Sequence, residues 1–296
     1  MSHHKKSIYM LGYASALGGA NSGSAKGPVV IQESPCCSSL TDKGIQLAWE
    51  KIVQPTASYD SVLSEVTRLC GELAESTAQL TIEKKPFVVL AGDHTSAIGT
   101  WSGVAFGKRK EGGIGLIWID AHLDSHTPDT SPTGNLHGMP VACLLGHGEK
   151  SLTGLLDHSP KVRPENMCII GARSYEKGEY DLLTALNVKI FSMDEVKSRG
   201  MTAILAEAIG IVTRNTVGYG MSIDIDSMDP HDAPGTGVAE PNGIAADDLC
   251  AALVGLAKDP RFSGLEIAEF DPSRDIKHKT EKLVIKLISA IYDRLS

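Results

Sequence analysis

The sequence of 296 residues lacks the features of several large protein classes. No apolar run reaches the length of a membrane-spanning helix, and Gly12, Gly18 and Gly19 interrupt the apolar stretch near the N-terminus before a secretory signal core is complete. The six cysteines form no Cys-x-x-Cys pair and no zinc-site spacing, so we expect free thiols. No repeat, low-complexity tract or charged linker divides the chain. We therefore expect one cytoplasmic domain over residues 1–296.

Positive charge is also scarce in this sequence. Lys and Arg total 28 and Asp and Glu total 36, which gives a formal net charge of 28 − 36 = −8. A chain with this excess of acid repels phosphate backbones, so we expect neither nucleic acid nor a membrane as a partner. The content of 42% hydrophobic and 22% charged residues is typical of globular proteins and excludes disorder or a disulfide scaffold.

Apolar runs of strand length alternate with segments of helical period along the chain. Runs that are apolar on both faces belong to strands covered by helices on both sides. These runs are Lys6–Gly12, Phe87–Ala91, Ile114–Ile119, Met167–Ile170, Val188–Phe191, Val217–Ile223 and Gly264–Ala268. Apolar residues three and four positions apart predict helices over Ser58–Leu80, Ile244–Ala257 and Thr280–Leu295. The alternation predicts an α/β fold of three layers, with helices on both faces of a central, mostly parallel sheet.

Two long polar stretches follow directly on apolar strands, at Ala121–Asn135 and Asp224–Gly243. Unstructured segments of this length inside a compact domain usually serve a function. In open parallel sheets, the ligand crevice lies outside the carboxyl ends of the strands. Both stretches are therefore expected at the same edge of the sheet.

Side chains that can bind metal follow three of the strands. In an extended chain, alternate side chains share a face. The candidate ligands after Ile114–Ile119 should therefore lie on one face of the chain, and so should those after Val217–Ile223. The candidates are His94, Asp120, His122, Asp124, Asp224 and Asp226. Asp93 also ends a strand, and for it a helix N-cap role stays open. Carboxylates crowded at the end of a sheet repel one another unless protonated or neutralised, so the set predicts a metal site.

The types of these ligands favour manganese. Four aspartates and two imidazoles form an oxygen-rich set without thiols, which suits divalent manganese better than structural zinc. Six side chains exceed what one ion usually takes, and with bridging carboxylates they fit two ions about 3.5 to 4 Å apart. Two divalent cations balance four carboxylates, and a bridging hydroxide then leaves one negative charge. Such a site matches a cationic substrate.

His137 follows the first polar stretch, within Gly134–Pro140. A lone histidine is more often a surface or core residue. Beside a hydroxide activated by metal, however, a histidine with a pKa near neutrality is the usual proton carrier. We therefore expect His137 to take part in catalysis.

The segments Gly92–His94, Asp120–Asp124 and Ser222–Pro230 resemble the signature motifs of the ureohydrolase family. The resemblance extends from Gly27-Pro28 to Glu269–Pro272, and it implies a three-layer α/β/α domain with two Mn²⁺ ions. The implied ligands of one ion are His94, Asp120, Asp124 and Asp224. Those of the other are His122, Asp120, Asp224 and Asp226. Asp120 and Asp224 would bridge, Glu269 would pair with the substrate guanidinium, and trimers or hexamers are expected.

Within this family, Gly134–Pro140 resembles the arginase form of the loop more than the agmatinase form. This resemblance implies hydrolysis of L-arginine to L-ornithine and urea by a metal-bridging hydroxide, with His137 as proton shuttle and Asp124 as a hydrogen-bond partner of the hydroxide. The implied contacts to the α-carboxylate are Ser131, Thr133 and Asn135, and those to the α-amino group are Glu176 and Glu179. His126, Glu176 and Val238 stand where arginases usually have Asn, Asp and Thr, and each bears on substrate choice.

Three alternatives stay open at this point. The first is another ureohydrolase that acts on agmatine, guanidinobutyrate or formimidoylglutamate. The second is a metal-stabilised binding protein without turnover, which is disfavoured because no expected catalytic residue is missing. The third is a dinucleotide-dependent oxidoreductase, which is disfavoured because Gly12-Tyr13-Ala14-Ser15, not a Gly-x-Gly-x-x-Gly motif, follows the first strand.

Overall fold

Eight strands form one sheet in the structure, a computed structural model that describes residues 6–293. The strands are β1 (Lys6–Tyr13), β2 (Ile45–Val53), β3 (Phe87–Ala91), β4 (Ile114–Ile119), β5 (Val162–Ala172), β6 (Lys189–Ser192), β7 (Gly218–Asp224) and β8 (Phe262–Ala268). Their order is β2-β1-β3-β8-β7-β4-β5-β6, and all neighbouring pairs are parallel. The predicted α/β fold with a parallel sheet is confirmed.

Eleven α-helices connect the strands within the described residues. They are α1 (Gly27–Glu33), α2 (Ser38–Asp42), α3 (Val62–Ile82), α4 (Ser96–Lys108), α5 (Pro140–Leu144), α6 (Lys150–Thr153), α7 (Lys177–Ala185), α8 (Met193–Arg199), α9 (Met201–Val212), α10 (Ala246–Leu253) and α11 (Lys279–Ile291). The longest, α3, begins at a capping box in which Ser61 and Ser64 each bond the other's backbone N–H. None of these helices is long and apolar enough to cross a membrane.

The helices form two layers because alternate strand residues face opposite sides of the sheet. Val89 of β3 packs in one core with residues of α3, α4 and α5. Its neighbour Val88 packs in the other core with residues of α9, α10 and α11. At one close approach, Trp101 of α4 lies so near β7 that a Cβ on Gly220 would overlap its ring.

The predicted elements differ from the observed ones mainly at their ends. β2 was not among the predicted strands. It is an edge strand, and Gln46, Glu50 and Lys51 interrupt its apolar pattern. The predicted helix at Ser58 begins at Val62, after its cap. The predicted helix at Thr280 ends at Ile291, and Leu295 lies outside the described residues.

The four strands that carry the candidate site residues are adjacent at the centre of the sheet, in the order β3-β8-β7-β4. Their carboxyl ends therefore bring the segments after Ala91, Ile119, Ile223 and Ala268 to one edge, as expected. The six cysteines are all free thiols.

Candidate metal centre

The ligand-type side chains reach one point through tight turns at the strand ends. β4 ends at Ile119, and the N–H of His122 donates to Oδ1 of Asp120 at 2.7 Å. Asp124 has a left-handed backbone, with φ of 47°. After β7, the N–H of Asp226 donates to Oδ1 of Asp224 at 2.8 Å as a short 3-10 turn begins. The side chains thus converge, but the expectation that they alternate along an extended chain was wrong.

Three carboxylates surround the ring of His94. Its Nδ1 atom lies 3.4 Å from Oδ2 of Asp120, 3.2 Å from Oδ2 of Asp124 and 3.1 Å from Oδ2 of Asp224. All four side chains are at least nine-tenths buried. This set contains the same residues as the first predicted ligand group.

A second group centres on His122, whose side chain is more exposed to solvent than that of His94. Its Nδ1 atom lies 3.4 Å from Oδ1 of Asp120 and 3.2 Å from Oδ2 of Asp226. Asp120 is shared, because its two oxygens face the two imidazoles. Asp224 meets this group through the hydrogen bond from Asp226. All six predicted ligands therefore lie together.

The crowding of these acids perturbs their protonation. Burial, followed by the charges of Asp226 and Asp120, raises the pKa of Asp224 well above its usual value. Burial, followed by the charge of Asp120, raises the pKa of Asp226 to about 6. Burial opposes ionisation of Asp120 as well, but the imidazoles of His122 and His94 outweigh it and lower the pKa. A divalent cation among these groups would relieve the same repulsion.

The ring of His94 is oriented for metal binding. Its Nε2 lies 2.9 Å from Oγ of Ser222, and that hydroxyl donates to Oε2 of Glu266 at 2.9 Å. Because Ser222 has one proton and gives it to Glu266, it accepts from Nε2–H of His94. The lone pair of His94 is then on Nδ1, a buried atom without a hydrogen-bond partner. The residues therefore fit a metal ion at that position.

Sequence reasoning missed the groups behind this histidine. Glu266, in the core of β8, also accepts from Ser96, Thr100 and Trp101. The ring of His94 stacks on Trp118, with 4.0 Å between ring centroids. The sequence does contain a signal for these groups, because Glu266 is an acid inside an apolar strand. A buried acid needs buried hydrogen-bond donors.

Glu269 and His137 lie beside the metal-type ligands. Glu269, at the end of β8, has a left-handed backbone with φ of 66°. Its Oε1 accepts from the backbone N–H of His94 at 3.0 Å and lies 3.1 Å from Nδ1 of His137. Burial would lower the pKa of His137, but Glu269, followed by the charges of Asp124 and Asp93, raises it to about 9. The carboxylates around His137 thus favour its protonated form.

A narrow cleft leads from the solvent to these groups. Its volume is about 150 Å³, below the roughly 300 to 1,000 Å³ of pockets for drug-sized ligands, so it suits a small substrate. Of the site residues predicted from the sequence, His94 and Asp120 lie buried at its base. The others line it, and they are His122, Asp124, His126, Ser131, Thr133, Asn135, His137, Glu176, Glu179, Asp224, Asp226 and Glu269. Val238 lines it as well.

The outer end of the cleft holds a pair of acids around an imidazole. Nε2 of His126 lies 3.1 Å from Oε2 of Glu176 and 3.5 Å from Oε2 of Glu179. Burial raises the pKa of Glu179 to about 8. Across the cleft, Oγ of Ser131 accepts from the N–H of Gly134 at 2.9 Å, which stiffens that loop. The outer end of the cleft is therefore lined by polar groups.

Comparison with known proteins shows similarity over nearly the whole chain. A model of the Arginase family matches residues 6–292. An arginase from Brevibacillus brevis is 34% identical over 295 residues, which is 97% of this chain and 98% of that protein. The crystal structure of an arginase from Bacillus subtilis is 34% identical with a TM-score of 0.89, covering 98% of this chain and 99% of that one. An Entamoeba histolytica arginase in complex with L-ornithine is 27% identical with a TM-score of 0.88, over 97% and 98% of the two chains.

Proposed function

The chain belongs to the arginase family of metal-dependent hydrolases, and from that premise we propose that it hydrolyses L-arginine to L-ornithine and urea. The observation that carries the proposal is the unpartnered Nδ1 of His94 within a ring of buried carboxylates, beside Glu269 and His137. Together these groups provide a metal site, an acid for a guanidinium and a proton carrier. The family uses a binuclear metal centre.

We propose two Mn²⁺ ions as the cofactor. Their ligands would be the six residues expected from the family resemblance, with Asp120 and Asp224 shared between the ions. Support comes from the two oxygens of Asp120, which face two different imidazoles. The acid-rich, thiol-free donor set suits manganese. When bound, the ions supply an activated water as the nucleophile.

Glu269 and His137 would act on the reacting end of the substrate. The carboxylate of Glu269, oriented by the N–H of His94, would hold the guanidinium of the substrate. His137 adjoins Glu269 and therefore lies close to the bond that breaks. The carboxylate of Glu269 favours the protonated form of His137, which would give its proton to the departing amine of ornithine. Asp124 would hydrogen-bond the nucleophile.

The outer end of the cleft would recognise the amino acid part of the substrate. Ser131, Thr133 and Asn135 offer short polar groups to the α-carboxylate. Glu176 and Glu179 offer acids to the α-amino group. We further propose a cytoplasmic trimer or hexamer, on the family resemblance and the sequence composition.

One observation favours a second candidate, another ureohydrolase. His126 stands where arginases usually have Asn, and in this structure its ring contacts both Glu176 and Glu179. These contacts engage acids that would otherwise meet the α-amino group. A substrate that keeps a carboxylate but lacks the amino group, such as guanidinobutyrate, would then be favoured.

A substrate panel separates these candidates. With manganese-loaded protein, urea release is measured from arginine, agmatine and guanidinobutyrate, and formamide release from formimidoylglutamate. Of the residues that would meet the α-groups, Glu179 is buried, whereas Thr133 and Glu176 are exposed and can pair with water. We therefore expect a higher kcat/KM with arginine than with agmatine, by less than a fully buried site would give. Equal or higher efficiency with agmatine would overturn the arginine assignment and leave the hydrolase intact.

The role of His137 is tested separately. His137→Asn should lower kcat by roughly ten- to ten-thousand-fold, the scale of general acid-base catalysis, with unchanged manganese content. An unchanged kcat would remove His137 from the mechanism.

A further inference from the structure

The loop after β1 is joined to the candidate site, although no residue in it was predicted to be functional. The backbone N–H of Asp93 donates to the carbonyl of Ser15 at 2.9 Å. A Cβ on Gly92 would overlap the same carbonyl. The loop around residues 15–19 is thus in direct backbone contact with the end of β3.

A single residue, Gly18, connects Asp93 to His137 through its two backbone groups. The N–H of Gly18 donates to Oδ2 of Asp93 at 2.8 Å. Its carbonyl accepts from the backbone N–H of His137 at 3.0 Å. A Cβ on Gly18 would overlap the side chain of Thr95 and lie 3.2 Å from the His137 nitrogen, so glycine permits this close approach.

The next residue, Gly19, lies against the imidazole itself. A Cβ there would be 3.2 Å from Cε1 and 3.3 Å from Nδ1 of His137, closer than side chains normally pack. The loop therefore fixes the backbone of His137 through Gly18 and bounds its ring through Gly19. Glu269 contacts Nδ1 of the same ring.

Helix capping does not account for Asp93. Helix α4 begins at Ser96 with Thr95 as its N-cap. Oδ1 of Asp93 accepts from the N–H and hydroxyl of Thr95, which shapes the turn before the helix. Oδ2 points away from the helix and bonds Gly18. Asp93 is only 1% exposed, and one of its oxygens accepts a hydrogen bond from a loop distant in the chain. Its role therefore extends beyond shaping the turn.

We propose that Asp93 is a positioning residue for proton transfer, which places His137 through the backbone of Gly18. The inference rests on the proposed function, because it requires His137 as the proton shuttle. A shuttle must come within hydrogen-bond distance of the departing amine, and a misplacement of about 1 Å costs roughly a hundredfold in rate. Asp93 would thus affect kcat without touching substrate.

The experiment is a double-mutant cycle on the manganese-loaded enzyme. Asp93→Ala is made alone and in the His137→Asn background, with kcat, KM and manganese content measured for each protein. Because Asp93 acts through His137, Asp93→Ala should lower kcat by about ten- to a hundredfold in the native background. KM should stay within about twofold of the native value, and the manganese content should not change. In the His137→Asn background it should change kcat by less than about twofold.

Two further variants separate positioning from folding. Gly19→Ala keeps every charge and displaces the ring, so it should also lower kcat in the native background only. Thr95→Val is the control, because it removes the hydroxyl that bonds the other oxygen of Asp93 and Tyr13 and leaves the bond from Asp93 to Gly18. Its kcat should stay within about twofold of the native value.

The results distinguish the inference from the proposed function. Equal loss of kcat from Asp93→Ala in both backgrounds, loss of manganese, or no effect from both Asp93→Ala and Gly19→Ala would overturn the positioning role and leave the hydrolase intact. If His137→Asn alone leaves kcat unchanged, the shuttle assignment fails, and the inference fails with it.

Discussion

Replacement of Ser222 by alanine tests whether the hydrogen-bonded groups behind His94 determine its affinity for metal. In the native chain, Ser222 accepts from Nε2–H of His94 and donates to Glu266, which keeps the lone pair on Nδ1. Ser222→Ala removes that acceptor. The proton of the ring is then free to move to Nδ1, where Asp120, Asp124 and Asp224 attract it. Metal must displace that proton, so affinity falls.

The expected magnitude follows from two independent considerations. Loss of an outer hydrogen-bond partner typically weakens metal binding by about 10- to 100-fold. This factor corresponds to about 1.4 to 2.8 kcal/mol. A buried donor left without its partner costs about 1 to 3 kcal/mol, which agrees. Because His122 belongs to the other ligand group, of the two manganese sites proposed above the one that includes His94 should weaken much more than the one that includes His122.

Equilibrium dialysis against manganese measures this effect without reference to turnover. The matched control is Ser96→Ala. It removes the hydrogen bond that Ser96 donates to Glu266 and keeps the one that Ser222 donates. We expect the control to bind within about twofold of the native protein. Equal affinity of Ser222→Ala and the native protein, or equal losses in Ser222→Ala and Ser96→Ala, would refute the reasoning.

Three further outcomes are expected. Chelation should lower the melting temperature and manganese should restore it, since a ligand that binds only the folded state adds about 2.7 kcal/mol at 100 times its Kd; an unchanged melting temperature contradicts this. Hydrogen bonding from Arg68 lowers the pKa of Glu65 to about 2, so its contribution to stability is present above its ordinary pKa of 4.5 and is lost as pH falls towards 2. The melting temperature of chelator-treated Glu65→Gln should therefore lie below that of the chelator-treated native protein at about pH 7 and approach it as pH falls to about 2, whereas a constant gap would argue against the ion pair. Gly220→Ala, whose methyl group would overlap Trp101, should destabilise the protein by about 1 to 3 kcal/mol in urea unfolding, and wild-type stability would show that the ring can move.

The strands of the central sheet could be predicted because their physical signal is local. Phe87–Ala91 and Ile114–Ile119 are apolar at every position, as required of strands covered on both sides, and their observed ends match the prediction. β2 could not be found in this way, since an edge strand needs no continuous apolar run. Backbone hydrogen bonds to β1 hold β2 in the sheet, and the side-chain pattern of β2 does not indicate them.

The candidate ligands could be predicted from their chemistry, whereas their supports depend on tertiary contacts. Asp120 and Asp224 follow apolar strands, and mutual repulsion makes such acids conspicuous. Ser222 and Gly18 are ordinary residue types in the sequence. Each gains significance only from a partner far along the chain, Glu266 for the first and His137 for the second.

The position of β8 within the sheet bears on the order in which the protein is synthesised and becomes competent to bind metal. All six candidate ligands precede residue 227, yet His94 follows β3 while the other five follow β4 and β7. Within the described residues, these two parts of the sheet are joined only through β8, the last strand. A nascent chain whose Phe262–Ala268 segment is still inside the ribosome therefore contains every candidate ligand but lacks the strand that joins the two parts of the sheet. We expect metal binding to require that final strand.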